Sequence, residues 1–64
     1  MTTGLVLALV LVQSPEEGYR EGARLYAQGK LLEAEKALEA ALAVDPSYAP
    51  AQFQLGAVYV RLGR

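Results

Sequence analysis

The side chains able to do chemistry are few. The 64-residue chain contains no His and no Cys. Without them the commonest general base, the commonest metal ligand, the thiol nucleophile and every disulfide are absent. The candidates left to weigh are one pair among the seven acidic residues, Glu35 and Glu39, and the two serines, Ser14 and Ser47. Carboxylates four apart on a helix share one face, but glycosidase-type acid/base pairs work from opposite sides of a bound sugar, which adjacent helical turns do not provide. The pair reads instead as a solvated face flanking Lys36. Ser14 and Ser47 read as helix caps, with no His or Lys placed to activate them. No Gly-rich phosphate loop, EF-hand or metal-ligand spacing occurs. The chain therefore reads as a non-enzyme with no cofactor, no metal and no small-molecule substrate.

Charge says little about a partner but much about organisation. Six basic and seven acidic residues give a formal net charge of −1, which supplies no electrostatic attraction to nucleic acid or to an anionic membrane. All of these charges lie from Glu16 onward. Ahead of them runs Leu5–Val12, eight apolar residues without a break. As a helix this run would be about 12 Å long at about 1.5 Å per residue, too short for a bilayer core of about 30 Å. It fits the apolar core of a secretory signal peptide, with Val12 and Ser14 as the small residues before the cut. Residues 1–14 are accordingly read as a leader, and the chain as exported to the periplasm or beyond. Against this, no Lys or Arg precedes the run and Pro15 would follow the cut. The alternative is a short buried strand or packed helix in a cytoplasmic protein.

The elements that could position a binding surface are three helices. Ser14-Pro15-Glu16-Glu17 has the parts of a helix start: an N-cap, Pro in the first turn, and a Glu completing a capping box. Glu16 before Arg20 and Glu21 before Arg24 suit ion pairs along that helix. It is predicted over 15–28, with Gly29 as its stop. Leu31, Ala34, Leu38, Ala41 and Leu42 form one apolar stripe at helical period in a second helix, which Asp45-Pro46 ends. A third helix starts near Ser47 or Tyr48, with Pro50 in its first turn and Gly63 as its stop. Its Phe53, Leu55, Val58, Tyr59, Val60 and Leu62 place apolar groups around much of the circumference.

Displacing the sequence by 34 residues lays Gly22 on Gly56, Ala23 on Ala57 and Gly29 on Gly63, with Tyr19 on Phe53 and Lys30 on Arg64. At this period, and with these landmarks, the chain resembles the tetratricopeptide repeat (TPR) family. The second copy carries the family's first-helix signature in Leu55-Gly56, Tyr59 and Gly63. The first copy carries its second-helix signature in Ala34, Leu38 (where the family favours Phe), Ala41 and Pro46. Two positions depart: Gly18 stands where the family prefers Trp, and Glu21 where it prefers Leu. A leading repeat with no preceding neighbour could carry such a polar helix as a cap.

The resemblance implies an all-α fold: an antiparallel hairpin plus a third helix, part of a right-handed α-solenoid. Residues 15–48 would be the first repeat and 49–64 the first helix of a second. Because arrays generally need about three units for stability, the chain reads as the N-terminal piece of a longer, bacterial-type repeat protein. Phe53, Leu55 and Tyr59 would then lack part of their cover.

The implied function is non-catalytic: first helices line a concave groove that receives a peptide or helix of another protein. Carried onto this sequence, the partner-binding candidates are Tyr19, Arg20, Ala23 and Tyr26, with Phe53, Gln54 and Ala57 as their third-helix counterparts. One family subtype grips a terminal carboxylate with Asn and Lys on successive first helices. This chain has no Asn, and Arg20 is the one basic residue suitably placed, so such a clamp is not expected. Two other readings stand beside this one. The third helix could pair with a second copy of the chain, or the repeats could be an appendage of a larger enzyme.

Overall fold

A computed structural model describes residues 14–64. Three α-helices occupy this range: α1 (Pro15–Ala27), α2 (Leu31–Val44) and α3 (Ala49–Leu62). The apolar run Leu5–Val12 and the leader reading attached to it lie outside the described residues, apart from Ser14. Among the described residues no helix is long and apolar enough to cross a membrane.

Each helix end has a local cause. Ser14 is extended at the N-cap, and its Oγ accepts from the Glu17 N–H at 3.4 Å. Beyond Ala27, Gly29 turns left-handed at φ 77°, and the Lys30 and Gly29 N–H groups donate back to the Leu25 and Tyr26 carbonyls. The same pair of bonds recurs 34 residues on. Gly63 has φ 82°, and the Arg64 and Gly63 N–H groups donate to Tyr59 and Val60. These are the paired backbone bonds of a Schellman stop, where glycine avoids the Cβ penalty of positive φ.

The α2–α3 turn differs in detail from the sequence expectation. Ser47 does not cap the third helix. Its N–H and Oγ both donate to Asp45 Oδ1, at 3.1 and 3.0 Å, folding the turn onto the aspartate. α3 begins at Ala49 with Tyr48 at the N-cap and no side-chain cap bond. Gln52 Nε2 instead donates to the Pro46 carbonyl at 2.8 Å.

The core lies where the three helices meet. Leu25 of α1, Ala34, Leu38 and Ala41 of α2, and Ala51, Leu55 and Val58 of α3 are buried. Leu55 is therefore covered by the hairpin, against the expectation that it would lack part of its cover, whereas Phe53 is largely exposed. α1 approaches α2 through Gly18 and Gly22, both buried. A methyl group on Gly18 would lie 2.8 Å from the Ala41 Cβ and 2.9 Å from the Ala37 carbonyl oxygen. One on Gly22 would lie 2.5 Å from Leu38 Cγ. The small residue where the family prefers Trp is thus a helix–helix contact, and the hairpin closes because nothing larger stands there.

Surface pairs also sort themselves. Arg24 bonds Glu21 through two nitrogens, Nε at 3.2 Å, and this holds the Glu21 carboxyl below its ordinary pKa. Glu16 and Arg20 do not form the expected pair; the ion pairs between described residues are Arg24–Glu21 and Arg64–Glu35.

Candidate functional site

α1 and α3 are joined on one side by a shallow groove of about 580 Å³. Tyr26 forms its α1 wall. Gln52, Phe53, Gly56, Ala57, Val60 and Arg61 of α3 form the rest. The lining is apolar except for the Gln52 amide, the Tyr26 hydroxyl and the Arg61 guanidinium. Phe53 and Val60 are 81% and 76% exposed, and they stand on either side of Gly56 along the helix. Among the described residues, nothing beyond the adjoining backbone of its own helix lies within 4 Å of where a Gly56 Cβ would be. Two large apolar side chains held open by a rigid helix, with a side-chain-free position between them, make a seat for a side chain from outside.

The repeat register explains why this seat is open. Gly22 is the residue 34 positions before Gly56, and Leu38 fills the space above it. On α3 the equivalent space is unfilled by any described residue.

Arg61 sits at the end of the groove. Its guanidinium carbon lies over the Tyr26 ring, 4.9 Å from the centroid, within cation–π range. Arg64, one turn on, is drawn the other way: Nη1 donates to Glu35 Oε2 at 2.7 Å, with its guanidinium 6.0 Å from the Tyr59 ring. Glu35 is thus committed to a structural ion pair, with its side chain only 15% exposed. It is not part of a solvated face with Glu39.

The seven sequence candidates divide. Tyr26, Phe53 and Ala57 come together in the groove. Tyr19 is half-buried at the opposite end of α1, packed on the core and edge-on to Tyr48 at 6.2 Å. Ala23 and Gln54 are half-buried and Arg20 is exposed, all outside the groove lining. Gln52, Gly56, Val60 and Arg61 also line the groove and were not among the sequence candidates. Val60 was within reach of the sequence reading, being the residue 34 positions after Tyr26. The placement of Arg61 over Tyr26 had no signal, because it depends on how α3 crosses α1. Among the described residues no three His, Cys, Asp or Glu side chains come close enough to hold a metal ion.

No curated protein and no solved structure shows a significant match to the chain. A family model described as TPR repeat matches residues 22–63, which span the end of α1, all of α2 and all of α3. With the 34-residue recurrence of the Gly29 and Gly63 stops, that match over most of the sequence places this chain in the TPR repeat family.

Proposed function

We propose that the chain is a non-catalytic protein-interaction module whose α1–α3 groove receives a peptide or helix of another protein. One observation carries the reading. Phe53 and Val60 are mostly exposed on a well-formed helix, flanking the unfilled position at Gly56. Leaving such groups in water is costly, and seating a partner side chain between them removes that exposure. The test is selection of peptides from a random display library against the full chain, followed by binding to Phe53→Ser. Peptides that bind the chain and are lost with Phe53→Ser support the groove. Selection of none, or of peptides indifferent to the substitution, refutes it.

A second reading, pairing of two copies through α3, has its own support. Phe53 and Val60 are equidistant from the midpoint of Gly56 and Ala57. An antiparallel α3 pair would therefore set each Phe53 against the other copy's Val60, as an isologous interface requires. Light scattering over a range of chain concentrations separates the two, since only self-pairing raises the mass.

Export through the apolar leader belongs to the same proposal. Cleavage after Ser14 would remove the hydroxyl that caps α1, a loss of about 1 kcal/mol, and would put an amine at the positive end of the helix dipole. Intact mass of the chain recovered from outside expressing cells checks the cut. Full-length material found only in the cytoplasm would sink the export reading.

A further inference from the structure

We propose that the groove's partner is an acidic–apolar peptide segment: an apolar side chain seated over Gly56 and an internal Asp or Glu two residues away held by Arg61. This rests on the groove reading above and adds the chemistry of the ligand.

Charge is the first argument. Every acidic residue of the chain precedes α3, and α3 itself carries one charge, Arg61. The groove lining likewise contains no carboxylate. Of the four arginines, Arg24 is paired with Glu21 and Arg64 with Glu35, and Arg20 lies outside the groove lining. Arg61 makes no ion pair with a described residue. Its guanidinium lies over the Tyr26 ring. A guanidinium held there by cation–π attraction keeps N–H donors able to take a carboxylate in paired hydrogen bonds. A second copy docking through α3 brings no carboxylate to Arg61, because α3 has none.

Spacing is the second argument. From Gly56 to Arg61 is five residues, about 7.5 Å along a helix. In an extended peptide, side chains two residues apart lie on the same face and are separated by about 6.6 Å. Gly56 and Arg61 both line the groove, and an apolar–x–acidic pattern has a span close to the axial rise between them.

The test is a titration of the uniformly 15N-labelled full chain, followed by amide spectra, with three probes. These are the end-blocked peptides acetyl-Gly-Leu-Ser-Asp-Gly-amide, its Asn form and its Lys form. The expected result is saturable movement of the Gly56, Ala57, Val60 and Arg61 amides. The Asp form should bind about two- to fivefold tighter than the Asn form, as a partly exposed ion pair allows, and the Lys form weakest. In Arg61→Gln, an exposed site that leaves the core untouched, the Asp and Asn forms should become equal. Equal binding of the Asp and Asn forms to the unaltered chain at those amides overturns the acidic preference and leaves the groove standing. No movement at those amides with any probe overturns both. A mass that rises with chain concentration while the probes move nothing assigns the face to a second copy instead.

Discussion

Arg64 Nη1 lies 2.7 Å from Glu35 Oε2 across 29 residues of sequence, fastening the end of α3 to the early part of α2. Glu35 is mostly shielded, whereas Arg64 is about half in solvent, so screening keeps the pair modest. Glu35→Gln is expected to lower unfolding stability by about 0.5–1 kcal/mol, read from urea melts. The difference should narrow as salt is raised. Amide exchange should quicken at Leu62 and Gly63 more than in α1. An equal loss of protection throughout would mean the pair is not a local clip.

Three glycines with the same intrinsic helix penalty should respond to alanine in opposite directions. Gly18→Ala drives a methyl into the backbone of α2, and Gly22→Ala drives one into the fully buried Leu38. Each should destabilise by about 1–3 kcal/mol through overpacking. Gly56→Ala meets open space and should stabilise by about 0.5–1 kcal/mol through helix propensity. Thermal melts by circular dichroism check all three, and a destabilised Gly56→Ala would show that something already covers that face.

What could be read in advance followed from local chemistry. Ser14-Pro15-Glu16-Glu17, Gly29, Asp45-Pro46 and Gly63 each act within a turn of their own position, so the helix limits came within one or two residues of those observed. The α2 stripe was legible for the same reason: period alone places Ala34, Leu38 and Ala41 inward. Relations set by the crossing of helices were not legible. Gly18 looked like a defect until Ala41 was seen against it. Glu35 looked solvated until Arg64 reached it. Ser47 was misread because Asp45, two residues back, accepts from its N–H and hydroxyl and holds it in the turn, leaving Tyr48 at the N-cap. Of the groove lining, Tyr26, Phe53 and Ala57 were among the sequence candidates; Gly56 and Val60 lie in the repeat register but were not singled out for binding, and the place of Arg61 depends on Tyr26 on another helix.

The Glu21 carboxyl, held below the ordinary carboxylate range by its hydrogen bonds to Arg24, contributes to folding at pH values above that range. That contribution is lost as pH falls through the depressed pKa. Following the Glu21 side-chain carboxyl carbon by NMR should give a midpoint below 4.5. Arg24→Gln should return it to the ordinary range. A midpoint unmoved by that substitution would remove the assigned cause.

Core and groove should separate cleanly. Leu38 is fully buried at the centre of the packing. Leu38→Ala is expected to cost about 2–5 kcal/mol, enough to abolish the cooperative helical melt of so small a chain. Phe53→Ser, at a site 81% exposed, should change the melt by less than about 0.5 kcal/mol while removing peptide binding. A large loss of stability from Phe53→Ser would mean that its ring supports the fold and is not held in reserve for a partner.

Gly18 faces Ala41 and Gly22 faces Leu38, so the gap between α1 and α2 tightens toward the Pro15 end. Two rods that converge at one end form a wedge, and wedges laid side by side cannot run straight. In any coil assembled from units like this hairpin, the pitch is set in part by two missing methyl groups. A methyl restored at Gly18, the narrow end, would spread the two rods there and blunt the taper.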